Sequence, residues 1–412
     1  MKALNVAIIG SGTAGAAAGI LLSRSGHNVT VFERVEDPKA IGAGIMMQPS
    51  GMDVLHALGL AEGIITAGAR IDSLKATTTT GRTVLDLDYR TYHAEAYGIG
   101  LHRGVLFSTL YEALNASVTQ IHTGVEIVHI PITPSGRAAV RDSHEVTYGP
   151  FDLVIVASGA RTGLRDAVGI PHKNRPYPWG ALWFVAEDPH RQFDGALTQY
   201  LQRAHTMLGF LPTGVGPEGR VPLTSLFWSL PRDGLLTWRE KGLTAWKNEI
   251  LALEPAAEEL VDQIEHVDQV LFAPYFDVVM KRPYQGPVVF LGDSAHATSP
   301  QLGQGCNLAL VDAWALSLVL NDCDSIAEGL ANYGRLRKAH LGYYQWASRA
   351  LTPFFQSHSV ILPWLRDRFM GLACRMPFTA RIMTASMCGR YRGFFRRGIE
   401  PLSLPNPEVP PS

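Results

Sequence analysis

LNVAIIGSGTAGAAAGILLSRSGHNVTVFE, residues 4–33, is the stretch whose reading decides the fold. Residues 4–9 (LNVAII) predict a buried parallel strand, residues 14–25 a helix with small residues on its early turns, and residues 28–33 (NVTVFE) a second strand. This is a βαβ unit of about 30 residues. Between strand and helix lies Gly10-Ser11-Gly12-Thr13-Ala14-Gly15. Gly10 lets the chain turn sharply, Gly12 lets the backbone approach a pyrophosphate, and Gly15 lets helix and strand pack closely. The helix start then offers free N–H groups and the positive end of its dipole to phosphates. Glu33 follows Gly12 by 21 residues and ends the second strand. A carboxylate there accepts hydrogen bonds from ribose hydroxyls and repels a 2′-phosphate, which argues against NADP at this site. The unit predicts a bound dinucleotide; the loop alone does not separate NAD from FAD.

A second glycine cluster lies far down the chain, in LGDSAHATSPQLGQGCNLALVD, residues 291–312. A strand (287–291, PVVFL) ends here, Gly292-Asp293 follow, and Gly303-Gln304-Gly305 open a helix. An acid at a strand end suits sugar-like hydroxyls, and a glycine-rich helix start suits an anion. Residues 151–157 (FDLVIVA) read as another central strand of the same sheet. Residues 71–90 and 179–230, rich in Thr, Trp, Phe and turn residues, predict antiparallel strands of a second, inserted sheet. The expected fold class is therefore α/β, a Rossmann-like nucleotide-binding domain with an inserted antiparallel-sheet substrate domain and a C-terminal helical segment. The expected boundaries are 1–70, 98–175 and 280–348 for the first domain, 71–97 and 176–279 for the second, 349–400 for the helices and 401–412 for a loose Pro-rich tail.

Bulk properties narrow the class. The 412 residues are 46% hydrophobic and 18% charged, with a net charge of −1, which gives no sign of a nucleic-acid surface. Four cysteines without CxxC or Cys/His spacing predict reduced thiols and no structural metal. No long apolar run suggests a membrane span, and the start MKALNVAIIG lacks a signal-peptide pattern, so a cytoplasmic enzyme is the expectation.

With these motifs in hand, the sequence resembles the single-component FAD-dependent aromatic hydroxylases, which include para-hydroxybenzoate, salicylate and ubiquinone-pathway hydroxylases. The resemblance covers GxGxxG with Glu33, IGAGIMMQPSGMDVLHALGL (41–60), LHRGVLFSTLYEAL (101–114), FDLVIVASGARTGLR (151–165) and GDSAHATSPQLGQGCNLALVDA (292–313). It implies that FAD is the dinucleotide, that Asp293 binds its ribityl chain, and that Arg103 contacts it near the pyrophosphate and ribityl chain. Gly303, Gly305 and Cys306 would lie along the isoalloxazine through their backbones, with Pro300 lining the face where oxygen reacts. Gly44 and Ile45 would border the mobile flavin, and Thr13, Ala14, Arg34, Ser158, Gly159 and Asn307 complete the implied cofactor set. His296 reads as a core or helix-capping histidine. The implied activity is insertion of one oxygen atom from O₂, via a flavin C4a-hydroperoxide, into a small aromatic or phenolic substrate, with NADH or NADPH as electron donor.

The sequence departs from the family at Ser158-Gly159, where the family carries Asp-Gly. The serine keeps a hydrogen-bonding group and loses the charge. That leaves open a monooxygenase fed reduced flavin by a partner reductase, a related flavin dehydrogenase or reductase, and a flavin-binding protein without turnover. On the substrate side Trp183, Tyr200, His205, Met207, Phe227 and Trp228 are candidate walls of a pocket. Tyr200 and His205 are the candidates to take a phenolic proton. Residues 350–398 mix large apolar groups with arginine and read as a helical cap packed on both domains, with a peripheral membrane or lipophilic-substrate surface as the sharper alternative.

Overall fold

The computed structural model describes residues 2–39, 42–117 and 120–391. The expected tail at 401–412 and the end of the helical segment beyond residue 391 lie outside the described residues.

Alternation of apolar side chains makes the first sheet two-faced. Val6, Ile8, Val29, Val31, Leu153, Ile155 and Val289 pack into one cluster with the helices Thr13–Arg24, Arg103–Asn115 and Gly305–Asp322. Ala7, Ile9, Phe32, Val154, Val156, Val288 and Phe290 pack into another with Ile127, Val140 and Phe151. Strands buried on both faces need apolar residues at every position, which is why these runs carry almost no polar residue. The six strands lie in the order 284–285, 288–290, 153–156, 5–9, 28–33 and 120–123, parallel except at the 284–285 edge. The expected central strands are therefore neighbours, although their sequence separations exceed a hundred residues.

The second sheet has nine strands in the order 271–279, 173–187, 222–231, 206–215, 195–202, 69–78, 98–102 and 44–47, with 83–88 paired to 69–78. It is antiparallel except where 195–202 runs parallel to 69–78. Strands 44–47 and 98–102, expected with the nucleotide-binding part, hydrogen-bond in this larger sheet instead. Through them Ile45 packs on the parallel-sheet cluster and Met46 on the large-sheet cluster. A three-stranded sheet, 127–129, 138–142 and 147–151, covers one face of the parallel sheet and has no counterpart in the sequence expectation.

The C-terminal helices are Ile326–Phe355, Ile361–Arg375 and Pro377–Met387. Pro353 lies in the last turn of the first of these and does not divide it, while Pro377 starts the last. Their inner side chains, Phe355, Cys374, Met387 and Cys388, share a cluster with Met46, Leu201, Met207 and Phe227 of the large sheet.

Candidate active site

Parallel strands end on one edge, so the loops after 5–9, 153–156 and 288–290 converge there, where open α/β sheets bind ligands. The three glycines of the first loop differ in their surroundings. Gly10 has φ +101°, and a Cβ on it would lie 2.7 Å from the Ala157 carbonyl oxygen. A Cβ on Gly15 would lie 1.9 Å from the Gly10 carbonyl oxygen. A Cβ on Gly12 would meet nothing within 4 Å. Gly10 and Gly15 thus answer to packing, and Gly12 faces open space. The helix Thr13–Arg24 starts there with no side chain capping it and no acid in its first turn, so its N–H groups remain for an anion. Glu33 holds the loop: Oε2 accepts from the Ser11 N–H (2.9 Å) and hydroxyl (2.8 Å), and Oε1 accepts from the Val35 N–H (3.0 Å). A carboxylate has about four acceptor positions, so one remains for a ribose hydroxyl. Arg34 beside it is exposed, and Ala14 is buried against Gly292.

The second loop is set by a buried ionic network. Gly292 has φ +59° and donates its N–H to Asp312 Oδ2 at 2.9 Å. His296 Nε2 donates to the same oxygen at 2.5 Å, and Arg337 Nε donates to Oδ1 at 2.7 Å. Arg337 also donates to His340 Nδ1 (2.6 Å), which leaves His340 Nε2 to donate to the Gly389 carbonyl (2.9 Å). Burial pushes the Asp312 carboxyl pKa up, but the charges and hydrogen bonds of His296 and Arg337 hold it well below the usual range. His296 is therefore a structural histidine, as expected. Asp312, which the resemblance covers without a role, and Arg337, which the sequence does not mark, position the turn that presents Asp293. Asp293 itself is exposed at the start of the short helix Asp293–His296.

Facing Asp293 is the start of the helix Gly305–Asp322. A Cβ on Gly305 would have only Asp293 Oδ1 within reach, at 4.0 Å. That helix has no side-chain cap and no acid in its first turn. Cys306 beside it has its thiol pKa pushed up to about 12 by burial, against the pull of the nearby Arg103 charge. Arg103 is exposed at a helix start, takes the Ala43 carbonyl with its N–H (3.1 Å), and lies over Gly42. Asn307 is fully buried: Oδ1 accepts from the Gln48 N–H (2.8 Å), and Nδ2 donates to the carbonyls of Met46 (2.9 Å) and Gly303 (3.0 Å). Its amide clamps the loop around Met46 to the Gly303 turn, so it acts through backbone rather than by reaching outward. Gly44 donates to Ser225 Oγ (2.9 Å) and is pressed against Thr213, while Ile45 packs on the parallel-sheet core. Pro300 is exposed at the start of the turn that ends in Gly303, which has φ +60°.

Ser158 sits against Gly10, its Oγ closed off from solvent and without a hydrogen-bond partner among the described residues. Gly159 follows with φ +79° and open space where a side chain would be. Arg165 ties this loop to the Asp293 loop, donating to the carbonyls of Ala160 and Ser294 at 2.7 Å each.

On the large sheet, side chains alternate between faces. Trp183, Met207 and Phe227 share the face that carries Met46 and the C-terminal helices, with the Trp183 and Phe227 ring centroids 5.1 Å apart. Tyr200 and Trp228 belong to the opposite face, packed against the layer of Trp238 and Trp246. Tyr200 donates its hydroxyl to Glu254 there, and burial together with that carboxylate pushes its pKa up. This corrects the expectation for Tyr200: it is turned away from the cofactor loops and stays protonated. His205 lies exposed in the turn between strands 195–202 and 206–215, its ring 5.5 Å from Trp179 and 5.9 Å from His358. The polar group that does meet that face is Tyr275, whose hydroxyl accepts from Trp183 Nε1 at 3.3 Å. Burial pushes its pKa up to about 12. Its only signal in sequence is the aromatic run LFAPYF (271–276) before the 287–291 strand.

The family described as "FAD binding domain" matches residues 3–341. This chain belongs to the FAD binding domain family. Among curated relatives, it is 26% identical over 345 residues to the probable 2-heptyl-3-hydroxy-4(1H)-quinolone synthase AqdB2 of Rhodococcus erythropolis, covering 82% of this chain and 85% of that one. It is 28% identical to the 3-amino-4-hydroxybenzoate 2-monooxygenase of Streptomyces cremeus, covering 76% and 77%. Among solved structures, Klebsiella pneumoniae HpxO complexed with FAD and uric acid has the same fold, with a TM-score of 0.79 and 19% identity over 93% of this chain and 97% of that one. The FAD binding domain assignment agrees with the geometry: there is open space at Gly12, the helix starts at Thr13 and Gly305 are uncapped, and Asp293 and Arg103 are exposed.

Proposed function

We propose that this chain is an FAD-dependent monooxygenase that places one oxygen atom of O₂ on a small aromatic or phenolic substrate, with NADH or NADPH as electron donor. The observation that carries this reading is the aromatic face of Trp183, Phe227 and Met207, ended by the Tyr275 hydroxyl, on the side of the large sheet that holds Met46. The relatives named above are a quinolone synthase and a hydroxybenzoate monooxygenase, which favours a flat substrate with a ring hydroxyl or amide. The net change is substrate-H + O₂ + NAD(P)H + H⁺ to substrate-OH + H₂O + NAD(P)⁺.

Bound FAD would supply the electron transfer and the activation of O₂. The protein's own residues do the rest. The Gly12 turn and the helix start at Thr13 take the pyrophosphate, Glu33 a ribose hydroxyl, and Asp293 the ribityl hydroxyls. The N–H groups at Gly305 and Cys306 would serve the ring edge where negative charge gathers, each hydrogen bond to a charged acceptor contributing roughly 1.5–3 kcal/mol. Trp183, Phe227 and Met207 exclude water. Tyr275, protonated, donates to or accepts from a substrate hydroxyl and fixes which ring carbon is presented. In this reading the parallel sheet and its helices hold FAD, the large sheet supplies the substrate side, and the protein works in the cytoplasm; no described helix is long and apolar enough to cross a membrane.

The test is substrate-dependent consumption of NAD(P)H and O₂ with a product heavier by one oxygen. A second reading rests on Ser158, whose buried hydroxyl has no partner among the described residues: reduced flavin arrives from a partner reductase. Stopped-flow mixing with NADH and NADPH separates the two, since rapid flavin reduction by either, with or without substrate, removes the partner.

A further inference from the structure

The outer face of the helix Ile361–Arg375 is unlike the rest of the surface. Seven of the sixteen large apolar side chains exposed among the described residues fall between positions 360 and 378. Successive helical residues advance by about 100°. On that geometry Ile361, Trp364, Leu372 and Met376 fall on one side, and Pro363, Arg366, Met370 and Cys374 on the other. The second set is buried or half-buried; Arg366 pairs inward with Asp367 and the Phe354 carbonyl. The first set faces out. Phe378, 76% exposed, extends the patch into the next helix.

Charge on this patch has one sign. Arg368 lies among the outward apolar residues, its guanidinium 5.2 Å from the Trp364 ring. Arg375 and Arg381 are exposed beside it. Residues 368–391 contain no Asp or Glu. Asp367, on the helix itself, is paired with Arg366, and Asp86 lies next to the buried Cys374. Tryptophan and arginine on one exposed face suit a boundary where one side is apolar and the other carries anions. A second copy of the chain suits it poorly, because a two-fold axis crossing the middle of this helix brings Arg368 against its own mate.

We propose that the outer face of the helix Ile361–Arg375, continued by Phe378 and Arg381, is a docking surface for an anionic phospholipid bilayer. Trp364 and Leu372 lie at the headgroup–acyl boundary, and the three arginines meet the headgroup phosphates. The proposal rests on this surface alone and does not depend on which substrate is oxidised.

The experiment uses the full chain loaded with FAD and vesicles of phosphatidylcholine with or without phosphatidylglycerol. Co-sedimentation with the anionic vesicles and not with the neutral ones is expected, with loss in high salt. Arg368→Gln with Arg375→Gln weakens binding by roughly twenty-five-fold, about fivefold per arginine. Trp364→Ser with Leu372→Ser abolishes sedimentation while FAD content and circular dichroism stay as in the wild type. No binding to anionic vesicles overturns the proposal, as does binding that both double variants leave intact. A dimer seen by ultracentrifugation without lipid, and lost in Trp364→Ser with Leu372→Ser, assigns the face to a second copy instead.

Discussion

Replacing Asp312 by asparagine tests the network that presents the Asp293 loop. The carboxylate is fully buried and takes hydrogen bonds from Gly292 N–H, His296 Nε2 and Arg337 Nε. Asparagine keeps the shape and an acceptor for Gly292, but leaves the Arg337 guanidinium buried without its counter-charge. Breaking a buried pair in this way costs about 3–5 kcal/mol. The loss is expected in urea unfolding of the apoprotein at pH 7, as a lower midpoint at unchanged slope. The pH dependence follows from the depressed carboxyl pKa. The group titrates near pH 4 in the unfolded chain and lower in the folded one, so its stabilisation is complete above pH 4 and is lost as pH falls through the folded value. The wild type therefore converges on Asp312→Asn in acid. FAD affinity falls as well, by tenfold for each 1.4 kcal/mol that displacement of the Gly292 turn removes from binding. An asparagine variant within about 0.5 kcal/mol of the wild type at pH 7, a scale typical of surface substitutions away from such networks, would refute the claim that this network holds the loop.

Gly12→Ala and Gly15→Ala part company: with open space around Gly12, the first leaves apoprotein stability unchanged and weakens FAD binding at least tenfold, whereas the clash of Gly15 with the Gly10 carbonyl makes the second destabilise the apoprotein too, both read by calorimetric titration and urea unfolding. Tyr200→Phe changes turnover less than twofold but costs about 1 kcal/mol of stability through the lost bond to Glu254, while Phe227→Ala raises KM for substrate, a contrast measured by steady-state kinetics. Tyr275→Phe lowers kcat/KM for a hydroxylated substrate by about tenfold, the value of one hydrogen bond in a dry site, and shifts the ratio of product isomers seen by chromatography. Cys306, with its thiol pushed up to about 12, resists alkylation at pH 8 in the folded protein and reacts once unfolded, as peptide mass mapping would show; equal rates in both states count against the burial argument.

The nucleotide loop and its neighbour strand were legible because their signals are local. Gly10, Gly12, Gly15 and Glu33 lie within one βαβ unit, and each answers to a contact across a few residues of chain. The cluster from Gly292 to Asp312 was legible for the same reason, including the structural role of His296. The larger sheet was legible as strands but not as faces. A strand's period of two says that Tyr200 and Leu201 point opposite ways, and leaves open which of them sees the cofactor. Tyr200 therefore turns to the Glu254 side while Trp183, Met207 and Phe227 share the other face, for reasons that lie in the pairing register. The clamp of Asn307 on Met46 and Gln48 spans some 260 positions, and the relay from Asp312 through Arg337 and His340 to Gly389 gathers residues 25 to 77 positions away. No pattern in a single chain marks such partners.

By itself the sequence determined where the helix starts, glycine turns and strand-end acids of the nucleotide-binding part lie, because these act through backbone geometry that a short segment sets alone. Only the tertiary structure decided which aromatic side chains share a face, which partners His296 and Asp312 find, and which helix is left with its apolar side in water. Those depend on burial, and burial is a property of what the rest of the chain places on top.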